Sequence, residues 1–309
     1  MILAGDIGGT KTTLALCDDD GTVVHEATEK SADWSSLEQI VEKFAPGAVR
    51  AACFGVAGPV VDGVAKITNL PWTIATSSLA AKLHARVSLI NDLQATALGM
   101  LVLPASAFAK LQTGTRVERG TIAVIAPGTG LGEAMLWHDG ARYHALPSEG
   151  GHADFAPGTE DEILLLRYLR GLYGEHVSYE RVLSGHGIAD LYAFWRERSG
   201  ESVIGADPAD VTDAALRHAD PCAVRALTMF VELLGAEAGN LALRGMATGG
   251  IVIGGGIPPK ILPALKADSF LARLTAKGRF TEWTRALSVR VALEPRAALL
   301  GAAHQATLL

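Results

Sequence analysis

The sequence predicts an α/β protein in two lobes, and three observations carry that prediction. Short apolar runs alternate with segments of helical periodicity along the whole chain. A glycine-threonine turn between two apolar runs occurs at Asp6-Ile7-Gly8-Gly9-Thr10 and again at Ala126-Pro127-Gly128-Thr129-Gly130. The chain has 309 residues, long for one core and comfortable for two.

Taken in order, residues 2–7 and 12–17 read as strands flanking the first turn, and 22–27 as a third after Asp18-Asp19-Asp20-Gly21. Strands joined this tightly pair antiparallel. Residues 37–44 have helical spacing, 49–57 form a buried strand closing on Gly58-Pro59, 79–84 a short helix and 87–90 a strand. Asn91-Asp92 ends that strand, and a helix starts at Gln94. The opening pattern then recurs, with 121–126 and 131–137 flanking the second turn and Asp139-Gly140 following. One echo of this size predicts two related halves, not a short-period array. The remainder is largely helical, at 160–173, 187–198, 206–218 and from Pro221 to residue 243; Pro is natural at a helix start. Strands at 251–253 and 288–293 precede a closing helix at 295–307, expected to return to the first lobe. The lobes are expected at residues 1–102 plus 291–309 and at 103–290.

Composition narrows the function. Hydrophobic residues make up 49% and charged residues 19%, enough apolar surface for a large core and too little polarity for disorder. The net charge of -6 lacks the basic footprint that nucleic acid demands. Cys17, Cys53 and Cys222 are far apart and form no CxxC or Cys/His cluster, so neither a zinc site nor a disulfide framework is expected. Reduced thiols fit a cytoplasmic protein. The N-terminus turns polar too soon for a signal peptide, and Glu237, Asn240 and Arg244 interrupt the most apolar late stretch, so no membrane partner is expected.

Six segments carry candidate chemistry. At Gly8-Gly9-Thr10 the backbone can approach a ligand closely, and its N–H groups with the Thr10 hydroxyl can hold phosphate oxygens. Asp6, at the end of the preceding strand, can organise magnesium through water. An ordinary hairpin explains the same residues. Gly128-Thr129-Gly130-Leu131-Gly132 carries more glycine than a hairpin needs, and two such turns in two halves can grip a triphosphate from both sides. Gly254-Gly255-Gly256 follows a short strand and permits flat approach of adenine and ribose, though glycine-rich strand ends are also structural devices. Asp92 is either a helix cap or a general base at the carboxyl end of a strand. Glu149-Gly150-Gly151-His152 offers mixed donors and acceptors for sugar hydroxyls, or is a solvated turn; Glu180 by itself reads as an ion pair or cap.

Together these segments resemble the bacterial glucokinases of the hexokinase superfamily, within the actin-like ATPases. The resemblance runs from end to end. It is carried by Asp6-Ile7-Gly8-Gly9-Thr10, Phe54-Gly55-Val56-Ala57-Gly58-Pro59-Val60, Thr68-Asn69-Leu70-Pro71-Trp72 and Ile90-Asn91-Asp92. It continues through Gly128-Thr129-Gly130-Leu131-Gly132, Glu149-Gly150-Gly151-His152-Ala153-Asp154-Phe155-Ala156-Pro157, Glu180-Arg181-Val182-Leu183-Ser184-Gly185 and the segment from Gly250 to Ile257. It implies a two-lobed actin-like ATPase (ribonuclease H-like) fold, with mixed sheets flanked by helices and the active site in the cleft between lobes. It implies ATP-dependent phosphorylation of D-glucose at the C6 hydroxyl, the entry step of glycolysis. Asp92 is then the base, and Asn91, Glu149, His152 and Glu180 bind the sugar. ATP lies on Asp6, Gly8, Gly9, Thr10, Gly128, Thr129, Gly130, Gly254 and Gly255, with magnesium near Asp6. A homodimer is typical of such relatives.

Three residues depart from the family pattern: Ser148 before the Glu-Gly-Gly-His run, His186 in the Ser-Gly-x-Gly segment, and Glu133 after the second glycine turn. Glu133 is expected to put a negative charge near the phosphates. A related group of sugar kinases and repressors carries a cysteine-rich zinc motif, and this chain has no cysteine between Cys53 and Cys222.

Overall fold

A computed structural model describes residues 1–67, 70–203 and 205–309. In chain order it forms β1 (Ile2–Ile7), β2 (Lys11–Cys17), β3 (Val23–Lys30), α1 (Leu37–Phe44), β4 (Ala51–Val56), β5 (Val60–Val61), β6 (Val64–Lys66), β7 (Thr73–Ala75), α2 (Thr76–Leu83), β8 (Arg86–Asn91) and α3 (Asp92–Val102). There follow β9 (Phe108–Gln112), β10 (Ile122–Pro127), β11 (Leu131–His138), β12 (Tyr143–Leu146), α4 (Glu160–Tyr173), α5 (Gly185–Arg198), α6 (Pro208–Leu216) and α7 (Pro221–Gly245). The chain closes with β13 (Gly250–Ile253), α8 (Leu262–Leu265), α9 (Asp268–Thr275), α10 (Thr281–Arg285), β14 (Val289–Ala292) and α11 (Ala297–Thr307).

Two compact units result. The first holds Met1–Ala107, Ala141–Pro147 and Glu294–Leu309; the second holds Phe108–Gly140 and Ser148–Leu293. The sequence boundary at 290/291 would cut β14, so the unit edge moves to Leu293 and keeps the strand whole. The boundary at 102/103 moves past the 3-10 turn Ala105–Ala107.

In the first unit the main sheet runs β3-β2-β1-β4-β8, with β1 antiparallel to β2 and parallel to β4, and β4 parallel to β8. Every residue of β4, Ala-Ala-Cys-Phe-Gly-Val, is buried, as a central parallel strand with both faces covered requires. The edge strand β3 is half exposed and carries Glu26, Glu29 and Lys30, charges that discourage further pairing. One face of the sheet packs Leu3, Ile7, Leu14 and Phe54 with Leu37, Ile40 and Val41 of α1. The other packs Ile2, Ala4, Ala15 and Cys53 with Leu299, Ala302, Ala303 and Ala306 of α11. The closing helix therefore returns to the first unit, as its sequence position led us to expect. β5, β6 and β7 form a small separate sheet that the sequence reading lacked. Thr68 and Asn69 of the Thr68-Asn69-Leu70-Pro71-Trp72 signature lie outside the described residues; Trp72 is buried and donates its indole N–H to the Trp34 carbonyl at 3.2 Å.

Within the second unit the sheet runs β11-β10-β13-β14-β9. β10 is antiparallel to β11 and parallel to β13, and β13 is parallel to β14. This repeats β2-β1-β4-β8 of the first unit strand for strand, so the echo of glycine turns is an echo of architecture. The core forms around α7, whose buried residues, from Cys222 to Ala242, cover most of its circumference. α7 has the length and apolarity to cross a membrane, but 78% of its most apolar window is packed inside the unit.

Candidate active site

The parallel strands of the first unit end side by side. Asp6 of β1 lies in register with Gly55 of β4, and Gly55 with Ile90 of β8; one step on, Ile7, Val56 and Asn91 align. Carboxyl ends of strands in such sheets are where ligands bind. β8 passes directly into α3, and Asn91 is the N-cap: its Oδ1 accepts from the Leu93 N–H at 2.8 Å, and Gln94 Oε1 accepts from the Asn91 N–H at 3.0 Å. This is a reciprocal capping box, and Asn-x-x-Gln is its sequence signature. The helix consequently starts at Asp92 and not at Gln94. The capping alternative for Asp92 falls to its neighbour, and Asp92 stands at the first helical position, with its Oδ1 2.8 Å from the Leu93 N–H. Asn91 also donates from Nδ2 to the Gly58 carbonyl at 3.1 Å, so its amide is engaged at both ends. Gly55 allows this approach, since a Cβ there would press within 2.7 Å of the Ala95 Cβ.

The turn Gly8-Gly9-Thr10 closes the β1–β2 hairpin through the Gly8 N–H to the Lys11 carbonyl, 3.0 Å. A residue the sequence reading missed holds it in place. Ser31, fully buried, donates from Oγ to the Gly8 carbonyl at 2.8 Å and lies 3.0 Å from Thr12 Oγ1. Its own N–H bonds the Thr10 carbonyl at 3.0 Å. Asp6 behind the turn has its carboxyl pushed up by burial, partly offset by the positive charge of Lys11. Among the described residues no group of three or more His, Cys, Asp or Glu can hold a metal by itself. A single half-buried carboxylate beside a glycine turn is a donor set that fits magnesium bound chiefly by phosphates and water.

In the second unit the equivalent turn, Gly128-Thr129-Gly130, closes through the Gly128 N–H to the Gly130 carbonyl at 2.8 Å. The Gly128 carbonyl accepts from the Gly185 N–H at 2.9 Å, so the first residue of α5 is tied to the turn. Gly254-Gly255-Gly256 lies against the same place: the Gly254 N–H donates to the Ile125 carbonyl at 2.8 Å. Gly255 has φ +86° and no space for a Cβ, which would collide with the Pro127 carbonyl oxygen.

Glu149, His152 and Glu180 come together here. His152 Nε2 is 3.9 Å from Glu149 Oε2, and its Nδ1 is 3.9 Å from Glu180 Oε1. The 3-10 turn Gly150–His152 and a bridge between Asp154 and Ser178 bring the two segments side by side. Glu180 Oε2 also accepts from the Leu131 N–H at 3.0 Å. A Cβ at Gly130 would collide with that oxygen, so the glycine is where the carboxylate fits. The negative charge beside the second glycine turn is therefore Glu180. Glu133, expected there, is buried, and its carboxyl lies against Gly150, where a Cβ would collide with Oε2. Partial exposure of Glu149, His152 and Glu180 leaves their polar atoms able to take up hydroxyl partners.

Two repeats of one strand order, each with a glycine turn closing its first hairpin, are the arrangement of the actin-like ATPase fold. The glucokinase family model matches residues 3–308. A glucokinase of Nostoc sp. is 39% identical, covering 98% of each chain. The crystal structure of a glucokinase from an Antarctic psychrotroph superposes with a TM-score of 0.89 at 32% identity, over 100% of this chain and 99% of that one. A glucokinase of Balamuthia mandrillaris in complex with glucose, 24% identical, shares the fold with a TM-score of 0.84 over 99% and 93% of the two chains. The chain belongs to the glucokinase family, and its activity is ATP-dependent phosphorylation of glucose.

Proposed function

We propose that Asp92 is the general base of this glucokinase, and that Glu149, His152 and Glu180 hold the sugar that it deprotonates. The observation that carries the reading is the capping box. With Asn91 and Gln94 closing the helix end, Asp92 is held at the carboxyl edge of the sheet, two residues beyond the row that Asp6 shares with Gly55 and Ile90, without being needed as the cap. The Asp92 carboxylate takes the proton of the glucose C6 hydroxyl as that oxygen attacks the γ-phosphorus of ATP. The bond from that phosphorus to its bridging oxygen breaks, ADP leaves, and glucose 6-phosphate forms.

The glycine turns supply backbone donors for charge that spreads over the phosphoryl oxygens. Gly8, Gly9 and Thr10 serve one side, and Gly128, Thr129 and Gly130 the other, with Gly254 and Gly255 beside the adenosine. Magnesium would sit near Asp6 through water and, when bound, neutralise phosphate charge. Glu149 and Glu180 accept from sugar hydroxyls, and His152 between them donates or accepts; together they fix which hydroxyl is presented. Asn91 acts on the sugar only through what its amide has left after capping α3 and bonding Gly58. The same reading takes the enzyme as a cytoplasmic homodimer, which sedimentation of the purified chain checks.

The test is Asp92→Ala, assayed by ADP release with glucose and with a panel of other hexoses. Turnover is expected to fall by about three decades or more, with the circular dichroism spectrum and melting temperature close to wild type. Near-normal turnover would remove Asp92 from the base role.

A further inference from the structure

Three glutamates of the second unit are buried, and they are not equivalent. Glu162 accepts from the Gly158 N–H and pairs with Arg273 at 2.6 Å. Glu237 accepts from Asn240 Nδ2 at 2.9 Å and pairs with Arg244. Glu133, 1% exposed, accepts no hydrogen bond at either carboxyl oxygen among the described residues, and its neighbour Glu237 becomes a partner only when a proton is shared between the two carboxyls. A buried carboxylate left this way is costly, and its neutral form is favoured.

The surroundings say where that carboxyl acts. Alternate residues of β11 face α7: Met135 lies against Gly245, and Glu133 is one step nearer the glycine turn on the same face. From α7 the charged groups near it are Glu237 and Arg244, and Glu237 is the like charge. Tyr179 and Lys277 face Glu237 from beyond. β10, the neighbouring strand, brings only Ile, Ala, Val and Pro. On the remaining side lies the loop Glu149-Gly150-Gly151-His152, with Gly150 against Glu133 Oε2 and Ser148 Oγ accepting from the Gly150 N–H at 2.9 Å.

We propose that Glu133 is a positioning residue for the sugar loop: neutral, it seats Gly150, and ionised, it lifts the loop and weakens glucose binding. This rests on the reading that Glu149 and His152 hold the sugar. The direction follows from packing. An ionised Glu133 needs water, and β10 offers only apolar side chains while α7 offers the like charge of Glu237. Half-buried Gly150, against Glu133 Oε2, has no side chain to bar water from the loop side. Burial, reinforced by the charge of Glu237, pushes the carboxyl up to about 8, so the transition falls within a measurable range.

The experiment is glucose kinetics from about pH 6.5 to about pH 9.5 on the full chain and on Glu133→Gln, which carries a permanently neutral head group. In wild type the glucose KM should climb about tenfold by one pH unit above the midpoint, with the ATP KM following no such limb. In Glu133→Gln it should stay flat and match the wild-type value at neutral pH. A variant profile superimposing on wild type, or a flat wild-type profile, overturns the proposal. Infrared difference spectra give a reading independent of activity. The protonated carboxyl band should be present in wild type at neutral pH, vanish above the midpoint and be absent from Glu133→Gln; its absence from wild type also overturns the proposal. Glu149→Gln in the same assay separates the two layers. If it leaves the glucose KM unchanged, the loop is not the sugar site; if it raises that KM while Glu133→Gln titrates like wild type, only the role of Glu133 fails.

Discussion

Ser31 shows how one buried hydroxyl can set the geometry of a glycine turn. It joins the end of β3 to Gly8 and Thr12; the bond to Thr12 is shielded from water and the bond to Gly8 half-shielded. Removing the hydroxyl leaves the Thr12 hydroxyl and one side of the Gly8 carbonyl without that partner, a loss of roughly 1–3 kcal/mol for buried polar groups. Ser31→Ala is therefore expected to lower the melting temperature by several degrees and to raise the ATP KM severalfold, while the glucose KM changes little. Steady-state kinetics with each substrate varied in turn would decide, and an unchanged ATP KM would detach Ser31 from the turn's function. No sequence signal marks such a residue, because its partners are twenty or so positions away and reach it only through sheet pairing. The capping box is the opposite case. Asn91 and Gln94 stand at the spacing the motif requires, so the signal for a start at Asp92 lay in the sequence, although the sequence reading began the helix two residues later, at Gln94. Glu133 was visible as an odd residue, but its position next to the second turn in sequence pointed to the wrong ligand. Strand alternation turns its side chain toward α7 and Gly150, and Glu180, distant in sequence, occupies the place instead.

At the scale of elements, hydrophobic period and turn chemistry located most strands and helices, because a strand or helix is a local pattern. Helices α1 and α4 begin and end where the sequence reading put them. The small sheet β5-β6-β7 escaped, since strands of two and three residues carry no period. So did the close crossing of α3 and α11, which depends on glycines in helices distant in sequence. A Cβ at Gly99 would collide with the Ala297 carbonyl, and one at Gly301 with the Ala95 carbonyl. This contact braces the helix whose first residue is Asp92. Gly301→Val must push the helices apart, at roughly 1–3 kcal/mol for overpacking. With Asp92 as the proposed base, and small displacements of a reacting group being expensive in rate, kcat should fall roughly ten- to a hundredfold, with a melting temperature several degrees lower. A variant that melts early yet keeps its kcat would show that the crossing stabilises the unit without positioning Asp92 for the proposed role.

For the whole molecule, the sequence echo foretold two related halves, but the composition of each half could not be read from it. The first unit is assembled from three separate stretches, and its last stretch supplies one entire face of its core. Leu299, Ala302, Ala303 and Ala306 of α11 cover Ile2, Ala4, Ala15, Cys17, Ala51 and Cys53, the far side of β1, β2 and β4. The core of the second unit, by contrast, contains no described residue beyond Val291. Deleting residues 294–309 should therefore act unequally. The first unit loses the cover over half of its sheet, an apolar area whose exposure costs several kcal/mol at about 25 cal/mol per Å². Its strands should exchange amide hydrogens freely, because local stability differs between units with separate cores. β10, β13 and α7 should keep their protection, since nothing they pack against has been removed. Hydrogen exchange followed by mass spectrometry would resolve the two, and glucose phosphorylation should vanish with the order of β8 and α3. Loss of protection in both units to the same extent would mean that the second unit depends on the first for its own stability, and the two cores would then have to be treated as one cooperative body.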